Sequence, residues 1–88
     1  MVIWKYPLEL TDRQVIEMPY DSEIIHIGEQ NGQLTLWALV DENEEQKEQR
    51  AVLVYGTGHP IIFGPAHRHV GTAQVGPFVW HVFVDGGR

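Results

Sequence analysis

The dipeptide Asn31-Gly32 sits between two apolar-rich segments, and that placement constrains this chain more than any other single feature. A two-residue type I′ turn needs positive φ at both central positions, which Asn and Gly tolerate and most residues resist, so the flanking segments are expected to pair as a β-hairpin. The first arm alternates loosely from Glu23 to Glu29. The second, Leu34-Thr35-Leu36-Trp37-Ala38-Leu39-Val40, is apolar on both faces, the pattern of a strand in the middle of a sheet.

Similar punctuation recurs along the chain. Residues 3–8 and 15–18 read as short strands, joined through Thr11-Asp12-Arg13-Gln14, whose spacing matches a capping box and allows a single helical turn. Residues 42–49 carry no apolar anchor and read as an exposed, mobile connection with room for a helical turn. β-rich composition resumes over residues 50–55 and stops at Gly56-Thr57-Gly58-His59-Pro60, where two glycines and a proline break any ladder. Residues 69–75 suit a short strand, Gly76-Pro77 a turn, and residues 78–84 another strand apolar on both faces. The fold class expected is mainly β: a small antiparallel β-sandwich or open barrel of six or seven short strands. At 88 residues the chain holds one hydrophobic core and not two, so residues 1–88 form a single domain.

Strands that are apolar on both faces exceed what one small sandwich hides, which favours a homo-oligomer; a tightly twisted monomer with loops over its outer faces is the alternative. The chain has no cysteine, so neither disulfides nor thiolate zinc sites are available, and a reducing interior is expected. Lys5, Pro7 and Glu9 interrupt the N-terminal apolar residues, which predicts neither a signal peptide nor a membrane span there and places the protein in the cytosol. Twelve acidic against six basic residues give a formal charge of −6, which disfavours nucleic acid as a partner because phosphate neutralisation needs clustered Lys and Arg. The acidic residues between Asp41 and Glu45 read as a solvated loop.

Five histidines stand at positions 26, 59, 67, 69 and 81. In an extended segment His67 and His69 share a face, and with His81 they could form a cupin-like three-imidazole metal site. No acidic ligand stands at the matching offset, so neither metal nor cofactor is expected. The run Gly56-Thr57-Gly58-His59-Pro60 is either a cradle for a phosphate or sugar, offering close backbone approach with a hydroxyl and an imidazole, or simply a tight turn. It is not a P-loop, and with Ser22 the sole serine, nucleophilic catalysis has little to work with. Trp4, Trp37, Trp80, Tyr55 and Phe78 are candidates for stacking a purine or for the core. Taken together, Gly56, Thr57, Gly58, His59, Arg68, Gly71, Thr72, Trp80 and His81 are the candidate ligand-binding set for a phosphate-bearing or nucleotide-derived molecule.

The runs Trp4-Lys5-Tyr6-Pro7-Leu8, Ile16-Glu17-Met18-Pro19, Trp37-Ala38-Leu39-Val40-Asp41, Tyr55-Gly56-Thr57-Gly58-His59-Pro60, Val70-Gly71-Thr72-Ala73-Gln74 and Phe78-Val79-Trp80-His81-Val82-Phe83 carry a resemblance over nearly the whole chain. They resemble a family of small proteins encoded by tailed phages and prophages. That family has histidines matching His59 and His81, and commonly an aromatic residue at positions 67 and 69. The resemblance implies a phage protein acting in the host bacterial cytosol. Analogy with compact phage accessory proteins then suggests non-enzymatic anti-defence, by sequestering a nucleotide-derived immune signal. Direct binding of a host defence protein, in the manner of an anti-CRISPR, and a cupin-like metal-dependent enzyme are the alternatives.

Overall fold

A computed structural model describes residues 1–61 and 67–85 of the chain. Seven strands follow in order: β1 (Val2–Pro7), β2 (Arg13–Pro19), β3 (Glu23–Gln30), β4 (Gln33–Val40), β5 (Lys47–Gly56), β6 (Arg68–Val75) and β7 (Phe78–Val84). Every pairing is antiparallel. They form two sheets, ordered β1-β4-β3 and β2-β5-β7-β6, and no closed barrel. Alternation along the strands sends Ile24, Ile27, Leu34, Leu36, Ala38 and Val40 from one sheet, and Met18, Val52, Val54, Val82 and Val84 from the other, into a single core. The mainly β reading is therefore correct. Among the described residues there is no helix, so none is long and apolar enough to cross a membrane.

The hairpin turn forms as its residues dictate: Asn31 and Gly32 have φ of 53° and 78°, and Gln30 faces Gln33 across it. β4 is the central strand of its sheet, between β1 and β3; Leu34, Leu36, Ala38 and Val40 on its inner face are buried in the core, and on its outer face Thr35 is buried and Trp37 and Leu39 are half-buried. Its outward-facing Trp37 packs against the ring of His26 at 5.5 Å rather than standing in water. Apolar surface is instead exposed on the edge strand β1, at Val2, Ile3 and Trp4, and at the start of β7, at Phe78 and Val79.

Two local expectations need correction. No helical turn forms at Thr11–Gln14, because the Gln14 side-chain amide accepts from the Glu9 N–H at 3.0 Å and donates to the Glu9 carbonyl at 2.8 Å, clipping the loop that leads into β2. Nor does the exposed connection reach residue 49, since β5 already begins at Lys47. Its anchor is polar rather than apolar. Arg50 is only 5% exposed, its Nη2 donating to the Ser22 carbonyl and lying 3.1 Å from the Glu48 carboxylate.

One irregularity positions the site. The β6–β7 register shifts between His69 and Gly71, so that His69 faces Phe83 whereas Gly71 faces the buried Val82. This bulge turns Gly71 into the core, against Ile27 of β3, while His69 and Thr72 both remain on the outer side of the sheet.

Candidate functional site: an aromatic cleft beside a hydroxyl–imidazole row

Strand register aligns Tyr55, His81 and Thr72 across β5, β7 and β6. Beyond the end of β5 the chain stays attached, because the Thr57 N–H donates to the Val79 carbonyl at 3.1 Å. Thr57 Oγ1 consequently lies 2.7 Å from His81 Nε2, Thr72 Oγ1 lies 3.1 Å from His81 Nδ1, and His69 Nε2 lies 2.9 Å from Thr72 Oγ1. The four side chains form one hydrogen-bonded row. A neutral imidazole offers one donor and one acceptor, so with both its nitrogens engaged His81 passes a single direction along the row, and a protonated His81 would donate to both hydroxyls. The His69 ring also meets the edge of Phe83 at 5.2 Å, which fixes the row's far end.

Thr57 opens onto a cleft of about 530 Å³ whose walls are Gly56, His59, Pro77, Phe78, Val79 and Trp80. Gly56 is what makes room there. A Cβ at that position would stand 2.7 Å from the His59 ring and 3.3 Å from the Trp80 indole. Without it, the His59 and Trp80 rings meet edge-to-face at 6.3 Å, and Phe78, 63% exposed, lies 6.2 Å from Trp80. A smaller cleft of about 420 Å³ shares the His59 wall and is also lined by Asp12, Arg13, Leu53, Tyr55 and Pro60.

The model of the Domain of unknown function (DUF7352) matches residues 1–87. The chain belongs to that family. Comparison with curated proteins and with solved structures finds no match.

In this DUF7352 chain the candidate set divides. Gly56, Thr57, His59 and Trp80 line the cleft, and Thr72 and His81 connect to it through the Thr57 hydroxyl. Gly58, with φ of 89°, forms the exposed tip of the turn. Gly71 is elsewhere, packed between the sheets on Ile27, where it serves close approach of two strands and presents nothing to a ligand. Arg68 is elsewhere too: it pairs with Val84, four residues along β7 from Trp80, or about 13 Å of extended chain.

The glycine loop is also less of an amide cradle than its composition suggests. The Thr57 N–H is taken by Val79 and the His59 N–H by the Gly56 carbonyl at 3.0 Å, so the loop spends these donors closing its own turn. Among the described residues no three His, Cys, Asp or Glu side chains converge as metal ligands; His69 and His81 approach the same threonine hydroxyl instead. Pro77, Val79 and the Asp12–Arg13 pair were not evident as site residues, since nothing in their local sequence reveals that β2 and the β6–β7 turn flank the loop at residues 56–60.

Proposed function

We propose that this chain is a non-enzymatic binding protein that takes a planar heteroaromatic ring into the cleft between His59, Phe78 and Trp80. The observation that carries this reading is the aromatic-walled cleft that Gly56 keeps open. Stacking a base on such a wall contributes about 1–3 kcal/mol whichever base it is, and the Thr57 hydroxyl, oriented by His81, supplies a fixed polar contact at the rim. A nucleotide-derived immune signal, sequestered in the host cytosol by a phage-encoded protein, is the ligand and setting this reading favours, in line with the resemblance of the sequence to small phage proteins.

The test is titration of the protein, in a Trp4→Phe, Trp37→Phe background that leaves Trp80 as the reporter, with cyclic di- and trinucleotides and ADP-ribose derivatives. The expected result is quenching with a Kd below about 10 μM, or roughly −7 kcal/mol, weakened by Thr57→Ala and by Phe78→Ser. Absence of binding across the panel would overturn the reading. The exposure of Phe78 and Val79 also favours a second one, direct inhibition of a host protein, which a pull-down abolished by Phe78→Ser but unaffected by Thr57→Ala would establish.

Association of two copies belongs to the same proposal, with β1 as its interface. Among the described residues this strand ends its sheet with one side unpaired, and it exposes Val2, Ile3 and Trp4. Antiparallel pairing with a second β1, centred on Trp4, sets Lys5 opposite Ile3 and so brings no like charges together. Light scattering should give a dimer mass that Trp4→Arg reduces to that of the monomer.

A further inference from the structure

The geometry points to a nucleoside phosphate as the occupant, spanning both clefts across His59, with its phosphate held by Arg13 and a ribose hydroxyl by Asp12. This rests on the aromatic-cleft reading above and extends it to the second cleft, to which His59 is common. The charge requirement leads to Arg13. A chain of formal charge −6 can hold an anion only where a cation is locally uncommitted, because distant acids are screened over about 8 Å in physiological salt whereas an adjacent cation is not. Among the described cations, Lys5 donates to Gln30, Arg50 is committed to Glu48 and Ser22, Lys47 stands at the opposite end of β5 from Gly56, and Arg68 lies at the far end of β7. Arg13 is exposed, lines the second cleft, and has no hydrogen bond or ion pair to its guanidinium among the described residues. Its planar fork suits a phosphate, to which it can donate two parallel hydrogen bonds.

Asp12 in the same cleft narrows the class further. Its carboxylate accepts hydrogen bonds, so the complementary ligand carries a hydroxyl donor close to the phosphate that Arg13 holds. A ribose hydroxyl beside a phosphoester is that combination, and an ionised aromatic carboxylic acid, with no hydroxyl donor, is not. Tyr55, from the neighbouring strand, adds a phenolic donor to the same wall.

Calorimetry with adenosine, AMP and 2′,3′-dideoxy-AMP, repeated with the guanine series, tests this on wild type, Arg13→Gln, Asp12→Asn and Phe78→Ser. For at least one base, the monophosphate should bind at least tenfold more tightly than its nucleoside. Arg13→Gln should remove that difference while leaving nucleoside affinity unchanged. Asp12→Asn should cut the preference for the ribose over the dideoxyribose form. If nucleosides bind and Phe78→Ser weakens them, but the phosphate advantage is absent or survives in Arg13→Gln, the Arg13 assignment is wrong and the aromatic-cleft reading stands. If neither nucleosides nor nucleotides bind in either series, the aromatic-cleft reading fails and this inference with it.

Discussion

Gly71 of β6 lies directly against Ile27 of β3: a Cβ on Gly71 would stand 2.6 Å from the Ile27 Cβ and 2.7 Å from its Cγ1. The two sheets therefore touch through a missing methyl group. Gly71→Ala should destabilise the protein by about 1–3 kcal/mol, the usual range for overpacking. Combining it with Ile27→Gly should cost clearly less than the sum of the two single changes, because the second substitution removes both atoms that clash, Cβ and Cγ1. Urea denaturation of the four proteins measures this coupling, and strict additivity would contradict the contact.

Gly56 offers a contrast. Its nearest neighbours are the far atoms of the His59 ring, Cε1 at 2.7 Å and Nδ1 at 2.8 Å, on a side chain that can swing away at the surface. Gly56→Ala is thus expected to cost less than about 1 kcal/mol of stability, in line with an exposed ring's freedom to change rotamer. Ligand affinity should nevertheless fall at least tenfold, because His59 leaves the wall it shares with Trp80. A thermal melt paired with calorimetry separates the two effects.

Burial pushes the Tyr6 phenol above its ordinary value of 10.0, and the hydroxyl has no hydrogen-bond partner among the described residues. As pH rises, the unfolded chain loses this proton first, so the contribution is fully present below pH 10 and is lost as pH climbs through the folded-state pKa. Tyr6→Phe should leave stability at pH 7 unchanged or raise it by up to about 1 kcal/mol, since no hydrogen bond is lost. The variant's stability should also decline less steeply above pH 10. Guanidinium denaturation at pH 7, 9, 10 and 11 tests both parts.

The buried Arg50 has Nη2 satisfied by Ser22 and Glu48, while its Nε and Nη1 are buried without a partner among the described residues. Removing Glu48 leaves an uncompensated buried cation, so Glu48→Ala should destabilise by about 3 kcal/mol. An apolar replacement of similar length avoids that penalty. Glu48→Ala combined with Arg50→Met is expected to be more stable than Glu48→Ala alone, a reversal that denaturant midpoints would reveal and that a simple packing role for Glu48 does not produce.

What the sequence by itself determined is the local grammar. Asn31-Gly32 and Gly76-Pro77 mark the two hairpin turns, the alternation and β-branched content mark the strands between, and the interior character of β4 follows from its two apolar faces. These features depend on φ preferences and on neighbours within a few residues, so a single chain suffices to read them. The site depends on more. His69 and Thr72, three residues apart, belong on opposite faces of a regular strand; the bulge at Val70 places them on one face, and it equally turns Gly71 inward. Tertiary pairing alone decided that Thr72 of β6 and Thr57 of the turn after β5 would close on His81, and that Arg13 would line one cleft with Tyr55 and His59. Arg50 likewise looks like a surface residue until Ser22, in the turn between β2 and β3, and Glu48 of its own strand close on it. Face and register are properties of paired strands, and a one-residue shift in pairing reverses every side chain, which is why composition could nominate these residues but only the folded sheets could assemble them.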